Sequence, residues 1–327
     1  SRQAVVISGE SGSGKTEATK RLMAFLSAIS SAQPGSDTTS SSAGEGAEVP
    51  IEDKVLGINP LLEAFGNAKT LRNDNSSRFG RWLQIHFKRG ASGSSMQPKL
   101  TGADITEYLL EKSRVVGQSL GERNYHIFYQ LLSDEKNHMG KAADYAYLNQ
   151  SGCTAVDGID DAAEYKLTRG SLAALGMSPA VQAMITSTIK GVLFLGNMLF
   201  EDHASDVGDG SRVTAYSKTY LAKAVDCFAL ESSETLHKAL TVRSILVHGE
   251  KIEVFLNPEQ AGDARNALAK EVYELLFKFL VEQCNASLMP PQGVPEAGTA
   301  TKGEGIIGLL DIFGFECFAK NSFEQLC

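Results

Sequence analysis

Gly9-Glu10-Ser11-Gly12-Ser13-Gly14-Lys15-Thr16 constrains this chain more than any other stretch. It fills the pattern G-x-x-x-x-G-K-[ST] directly after an apolar strand-like run, Ala4-Val5-Val6-Ile7, and directly before a helical pattern. Glycines there allow positive φ and bring several backbone N–H groups near a polyphosphate. A helix starting near Lys15 adds unpaired N–H groups and the positive end of its dipole. Lys15 is a mobile cation for the β- and γ-phosphates, and Thr16 offers a hydroxyl to Mg²⁺. The plain alternative is a Gly/Ser turn, but the pattern arises by chance in roughly one chain in a hundred of this length.

Composition narrows the rest. The 327 residues are 43% hydrophobic and 21% charged, and 31 basic against 39 acidic residues give a net charge of −8. That balance, with no basic stripe, argues against nucleic acid as a main partner. Five cysteines are odd in number and form no C-x-x-C pair, which suits a reduced cytosolic compartment with the thiols packed as small hydrophobes. Apolar runs are too short for a transmembrane segment, and no signal peptide is visible. The chain opens without Met on the phosphate-loop strand and stops at Cys327, so an internal piece of a longer protein is expected.

Periodicity predicts a helix from about Lys15 to Ser30 with Ala18, Leu22, Phe25, Leu26 and Ile29 facing a sheet. Residues 31–50 read as a flexible surface loop, and Val55, Ile58, Leu61, Leu62 and Phe65 as helix interrupted at Pro60. Alternation of Leu83, Ile85 and Phe87 with Gln84 and His86 marks a strand; Trp82 is assigned to packing, His86 to a solvated or hydrogen-bonded position. Leu100 to Leu110 is a further strand. Helical segments are expected at 125–132, 162–175 and 179–199, a polar turn at 202–212, shorter helices to about Leu240, and paired strands meeting at Gly249-Glu250. Asn257-Pro258-Glu259-Gln260 has the residues of a capping box, opening a helix on the order of 40 Å long. After an exposed connection, Ile306 to Asp311 reads as a buried central strand ending in a carboxylate.

Beyond the phosphate loop, a nucleotide hydrolase needs a second hydroxyl for the metal, a sensor of the γ-phosphate and a means of placing water. Asn73-Asp74-Asn75-Ser76-Ser77-Arg78 and Asp311-Ile312-Phe313-Gly314-Phe315-Glu316 can supply them. With these segments the sequence resembles the myosin motor head. Gly9 to Glu17 is similar to its phosphate loop, Asn73 to Arg81 to its switch I and Asp311 to Glu316 to its switch II. The likeness continues through Tyr108 to Arg114, Gly121 to Phe128 and Ala267 to Lys270, covering essentially the whole chain; Ser13 and Arg81 stand where that family commonly has Ala and Lys.

The resemblance implies an ATP hydrolase using Mg²⁺ and moving on actin filaments. It places Gly9, Glu10, Ser11, Gly12, Ser13, Gly14, Lys15 and Thr16 around the phosphates, with Asn73 and Ser76 on the triphosphate. Thr16 and Ser77 would bind Mg²⁺ directly and Asp311 through water, while Gly314 donates its N–H to the γ-phosphate. Arg78 and Glu316 would form the ion pair that closes over the lytic water. Glu250, sixteen residues before Asn266, would sit on an actin-facing loop as a constitutive carboxylate, where some members need a phosphorylated side chain. The plain alternative for Glu250 is a solvated turn residue.

The implied fold is α/β, of the phosphate-loop NTPase type: a central, mostly parallel sheet flanked by helices, with a largely helical insertion and incomplete as a fragment. The expected division is 1–30 for the phosphate loop and its helix, 31–50 for the surface loop, and 67–110 for switch I and sheet strands. Residues 111–304 would form a mainly helical upper region with an actin-facing loop near 243–256, and 305–327 switch II with the start of the next helix. Light chains or calmodulin would bind an absent lever, and the location would be cytoplasmic and cytoskeleton-associated. Missing strands would leave open sheet edges, so the isolated fragment is expected to aggregate. A kinesin-like microtubule motor shares Ser-Ser-Arg in switch I, but Phe79-Gly80-Arg81 and Phe315 fit the myosin pattern. A non-motor scaffold fragment with a decayed nucleotide site is countered by Lys15, Thr16, Ser77, Arg78, Gly314 and Glu316 all being present.

Overall fold

A computed structural model describes residues 2–9, 12–31, 51–89, 98–205, 208–248, 250–289 and 304–312. In chain order it contains β1 (Arg2–Ile7), α1 (Lys15–Ser31), α2 (Ile51–Gly66), β2 (Asn67–Ala68), β3 (Ser76–Ser77), β4 (Gly80–Arg89) and β5 (Pro98–Tyr108). Then come α3 (His126–Ser133), α4 (Ala146–Asn149), α5 (Asp161–Ala174), α6 (Pro179–Gly196), β6 (Phe200–Ser205) and β7 (Gly208–Val213). The remainder comprises α7 (Lys218–Cys227), α8 (Ser233–Thr241), β8 (Val242–Val247), β9 (Glu250–Phe255), α9 (Pro258–Leu288) and β10 (Glu304–Asp311). Two compact units divide the chain, one of residues 1–111, 162–178 and 278–327, the other of 112–161 and 179–277.

The first unit is built on a sheet of order β1-β10-β4-β5. Only β1 and β10 run parallel; β10–β4 and β4–β5 are antiparallel. The described sheet is therefore mixed, which corrects the mostly parallel expectation. The reason is connectivity: β4 and β5 are neighbours in the chain joined by a short link, and such neighbours pair antiparallel. Because β4 runs against β10, its start, and with it the segment 73–79, comes to the same sheet edge as the C-terminal ends of β1 and β10.

Alternation along β4 is as expected, with Leu83, Ile85 and Phe87 buried and Gln84 and His86 half-buried. His86 Nε2 lies 2.7 Å from Asp104 Oδ1 on β5. At Ile105 the outer edge of β5 is capped by a side chain. Asn285 accepts from Ile105 N at 2.8 Å and donates to Ile105 O at 2.8 Å, so its amide imitates a neighbouring strand. Trp82, assigned to packing, lies diagonally across Gly308 of β10, where an added Cβ would fall 2.1 Å from its Cη2. Gly308→Ala is therefore expected to destabilise by about 1–3 kcal/mol, the usual range for overpacking. Trp82 is the sole tryptophan, so its emission should shift with the ring; unchanged emission and stability would show that the groove has slack.

Two helices differ from their sequence reading. In α1 the buried stripe is Thr19, Met23, Leu26 and Ser27, one residue round from the expected face, and Phe25 is 61% exposed. Thr19 can be buried because its hydroxyl bonds Lys15 O at 3.1 Å, while Ser30 Oγ accepts Leu100 N at 2.8 Å and ties the helix to β5. In α2 the helix continues through Pro60 instead of breaking. Proline leaves the carbonyl four residues earlier without its N–H, and that carbonyl, Leu56 O, accepts from Asn59 Nδ2 at 3.3 Å.

The second unit is mostly helical. Tyr273 of α9 stacks on Tyr125 and Phe128 at ring-centroid distances of 4.9 and 5.3 Å. The capping box of α9 is present, Asn257 N donating to Gln260 Oε1 at 3.2 Å and Gln260 N to Asn257 Oδ1 at 2.9 Å. Residues 202–212, expected as a turn, are mostly a β6–β7 hairpin. Its apolar residues, Phe200 and the buried Val213, pair at one end of the hairpin and the rest is largely polar, so no period-two pattern marked it. The pair β8–β9 is antiparallel as expected, with Glu250 exposed at the start of β9 and Leu246 of β8 77% exposed. Among the described cysteines only Cys284 is a buried hydrophobe, its thiol pushed up to about 12 by burial; Cys153 and Cys227 are half-buried.

Candidate functional site: a polar pocket at the sheet edge

Parallel pairing sets the site. Ile7, the last residue of β1, lies beside Asp311, the last of β10, so the glycine loop leaves the sheet next to a carboxylate. Antiparallel pairing then sets Arg81 of β4 opposite the same Asp311. A pocket of about 230 Å³ opens at this edge, lined by Gly12, Gly14, Lys15 and Thr16 from the loop, by Asn73, Ser76 and Ser77, and by Asp311. Gly12 and Gly14 have φ of +81° and +86°. A Cβ on Gly14 would meet nothing within 4 Å, so glycine is needed there for conformation and not for space. Gly14 O accepts Ala18 N at 2.8 Å, starting α1. Lys15 Nζ donates to Gly9 O at 2.6 Å, which folds the ammonium back over the loop.

The segment 73–78 is held by its own hydrogen bonds. Thr70 N donates to Asn73 O at 2.8 Å, Asn75 N donates to Asn73 Oδ1 at 3.0 Å, and Ser76-Ser77 pairs as β3 with β2. Ser77 Oγ donates to Phe79 O at 3.1 Å, which turns its lone pairs away from that carbonyl. Asn75 Nδ2 reaches Glu63 Oε2 of α2 at 3.1 Å, and Lys20 of α1 reaches Glu63 Oε1 at 2.6 Å. Burial alone would lower the Lys20 pKa; the Glu63 contact and the charges of Glu63 and Glu17 outweigh it and raise it. Arg81 NH1 donates to Asn59 Oδ1 at 3.0 Å and NH2 lies 3.8 Å from Asp311 Oδ2. Burial lowers the Arg81 pKa, opposed by the charges of Asp311 and Glu63.

The pocket thus gathers Gly12, Gly14, Lys15, Thr16, Asn73, Ser76, Ser77 and Asp311 from the sequence-derived set, with Gly9 bonded to Lys15. Glu10, Ser11, Gly314 and Glu316 lie outside the described residues. Arg78 is buried, its Nε donating to Glu111 Oε2 at 2.8 Å and its NH1 to Ser76 Oγ at 3.1 Å. Glu111 as a partner of Arg78 was missed, as were Asn75, Glu17 and Lys20 in the pocket lining. Helical spacing from Lys15 and Thr16 could have found Lys20; nothing local in the sequence points from Arg78 to Glu111.

A mixed sheet flanked by helices, with a polar pocket where β1 and β10 end, defines an α/β protein. The chain belongs to the myosin head (motor domain) family, whose profile matches residues 1–327. It is 43% identical to Myosin-1 of Pyricularia oryzae over 332 residues, covering 99% of this chain and 25% of that protein. Identity is 42% to Myosin-1 of Arabidopsis thaliana, with 99% and 25% covered, and 42% to Myosin IE heavy chain of Dictyostelium discoideum, with 99% and 30% covered. The chain spans about a quarter of the length of these curated relatives. Membership in this family sets the kinesin-like reading aside.

Proposed function

We propose that this chain is the nucleotide-binding core of an actin-based motor that hydrolyses Mg-ATP. The observation that carries the reading is the convergence on one pocket of Lys15 and Thr16, Ser76 and Ser77, and Asp311, from three separate parts of the chain. In this reading the N–H groups of the loop and the α1 N-terminus bind the phosphates, and Lys15 leaves Gly9 O for the β- and γ-oxygens. Asn73 and Ser76 hold the triphosphate from the other wall. Glu10, Ser11 and Ser13 complete the loop, and adenine selectivity follows from the family alone.

The donor set suits a hard cation: two hydroxyl oxygens, Thr16 and Ser77, and the Asp311 carboxylate, all in the pocket lining. Mg²⁺ held there neutralises charge on the β- and γ-oxygens. Gly314 would donate its N–H to the γ-phosphate, and Arg78 and Glu316 would pair as the site closes. Glu250, on an exposed strand start, is proposed to face actin with no need of phosphorylation. Light chains or calmodulin are proposed for a lever elsewhere in the protein, and association with the actin cytoskeleton follows from the proposed partner. Among the described residues no helix is long and apolar enough to cross a membrane.

The test is steady-state Mg-ATP hydrolysis by the intact protein with increasing filamentous actin. Saturable activation supports the motor reading. Hydrolysis indifferent to actin would leave a nucleotide hydrolase without the motor, and nucleotide binding without turnover would favour the scaffold alternative.

A further inference from the structure

Arg78 and Glu111 are joined twice. Besides the side-chain pair at 2.8 Å, Glu111 N donates to Arg78 O at 2.9 Å, and the two side chains are only 3% and 9% exposed. The backbone route to this contact is unusual. The β4–β5 ladder ends at Gly80↔Tyr108, after which one residue, Phe79, stands against two, Leu109 and Leu110, before Arg78 meets Glu111. That is a one-residue excess on the β5 side, a bulge beyond the ladder. Leu109 absorbs it at φ +53°, a left-handed conformation that leucine rarely adopts. A one-residue slip exchanges the faces of all side chains after it. Without the extra residue Leu110 would stand opposite Arg78; with it, a carboxylate does.

We propose that Glu111 is a positioning residue for the hydrolytic step: it fixes the guanidinium plane of Arg78, and through the Arg78 NH1 bond the hydroxyl of Ser76, on the wall of the nucleotide pocket. The proposal rests on that pocket binding Mg-ATP. Nε on Glu111 and NH1 on Ser76, 3.1 Å away, set the orientation in which Arg78 meets any other carboxylate. Loss of the Glu111 charge therefore acts on catalysis through Arg78, and hardly on the affinity supplied by Lys15 and the loop amides.

The experiment compares Glu111→Gln and Glu111→Asp with the parent in the intact protein. It measures the Kd for a fluorescent ATP analogue with Mg²⁺, the single-turnover hydrolysis rate of Mg-ATP, and the thermal midpoint. For Glu111→Gln, which keeps the shape and removes the charge, Kd is expected within about threefold of the parent and hydrolysis about 10- to 100-fold slower. Glu111→Asp should recover part of the rate. Hydrolysis by Glu111→Gln within threefold of the parent overturns the proposal while leaving the pocket reading intact. So does a loss of affinity as large as the loss of rate, or a fall in rate that follows the thermal midpoint in both variants. A parent that neither binds nor hydrolyses Mg-ATP overturns the pocket reading and this proposal together.

Discussion

Lys15→Met in the intact protein is expected to weaken Mg-ATP binding by about 100- to 1000-fold while leaving the fold in place. Lys15 carries the cation in the loop, and a charged donor aimed at phosphate oxygens in a pocket is worth about 3–4 kcal/mol, where 1.4 kcal/mol is tenfold. Its bond to Gly9 O is solvent-exposed, so removing it costs the apoprotein little. Titration with a fluorescent nucleotide at fixed ionic strength is the measurement. Affinity within threefold of the parent would mean that Lys15 does not touch the phosphates, and the pocket would need another ligand.

Arg81→Ala should have the largest effect on stability, about 3–5 kcal/mol, because it strands a buried carboxylate. Asp311 is 7% exposed and Arg81 5%, and the Arg81–Asp311 approach of 3.8 Å is electrostatic, too long for a hydrogen bond. Arg81→Lys keeps the positive charge near Asp311 and gives up the bond to Asn59, so a loss nearer about 1 kcal/mol is expected. Denaturant unfolding of the two variants separates charge from packing. Equal losses in both would show that the bond to Asn59, and not the charge opposite Asp311, holds this edge together.

A lysine at position 81 would serve the charge but not the reach to Asn59. Arg78 stands in a comparable position, buried and committed to a carboxylate. Arg78→Glu would set a second carboxylate against Glu111 in a buried site, whatever is done at Glu316. A failed Arg78→Glu, Glu316→Arg double reversal would for that reason say little about an Arg78–Glu316 pair.

What could be read from the sequence was chemistry that closes over a few residues. The glycine loop is such a case: positive φ at Gly12 and Gly14, Lys15 folded onto Gly9 and a helix starting at Lys15 all lie within eight positions. The alternation of Leu83, Ile85 and Phe87 and the reciprocal caps of Asn257 and Gln260 are equally local. Tertiary structure decided the rest. Which face of α1 is buried depended on the elements packed against it, α2 and β5 among them, and the survival of α2 through Pro60 was accompanied by a side chain reaching one spare carbonyl. Strand direction brought Arg81 to Asp311, and a strained one-residue bulge brought Glu111 to Arg78. Short-range hydrogen bonding and backbone sterics are properties of neighbouring residues and leave a pattern in the sequence. The pairing of charges 33 or 230 positions apart depends on register, which exists only once the sheet has formed.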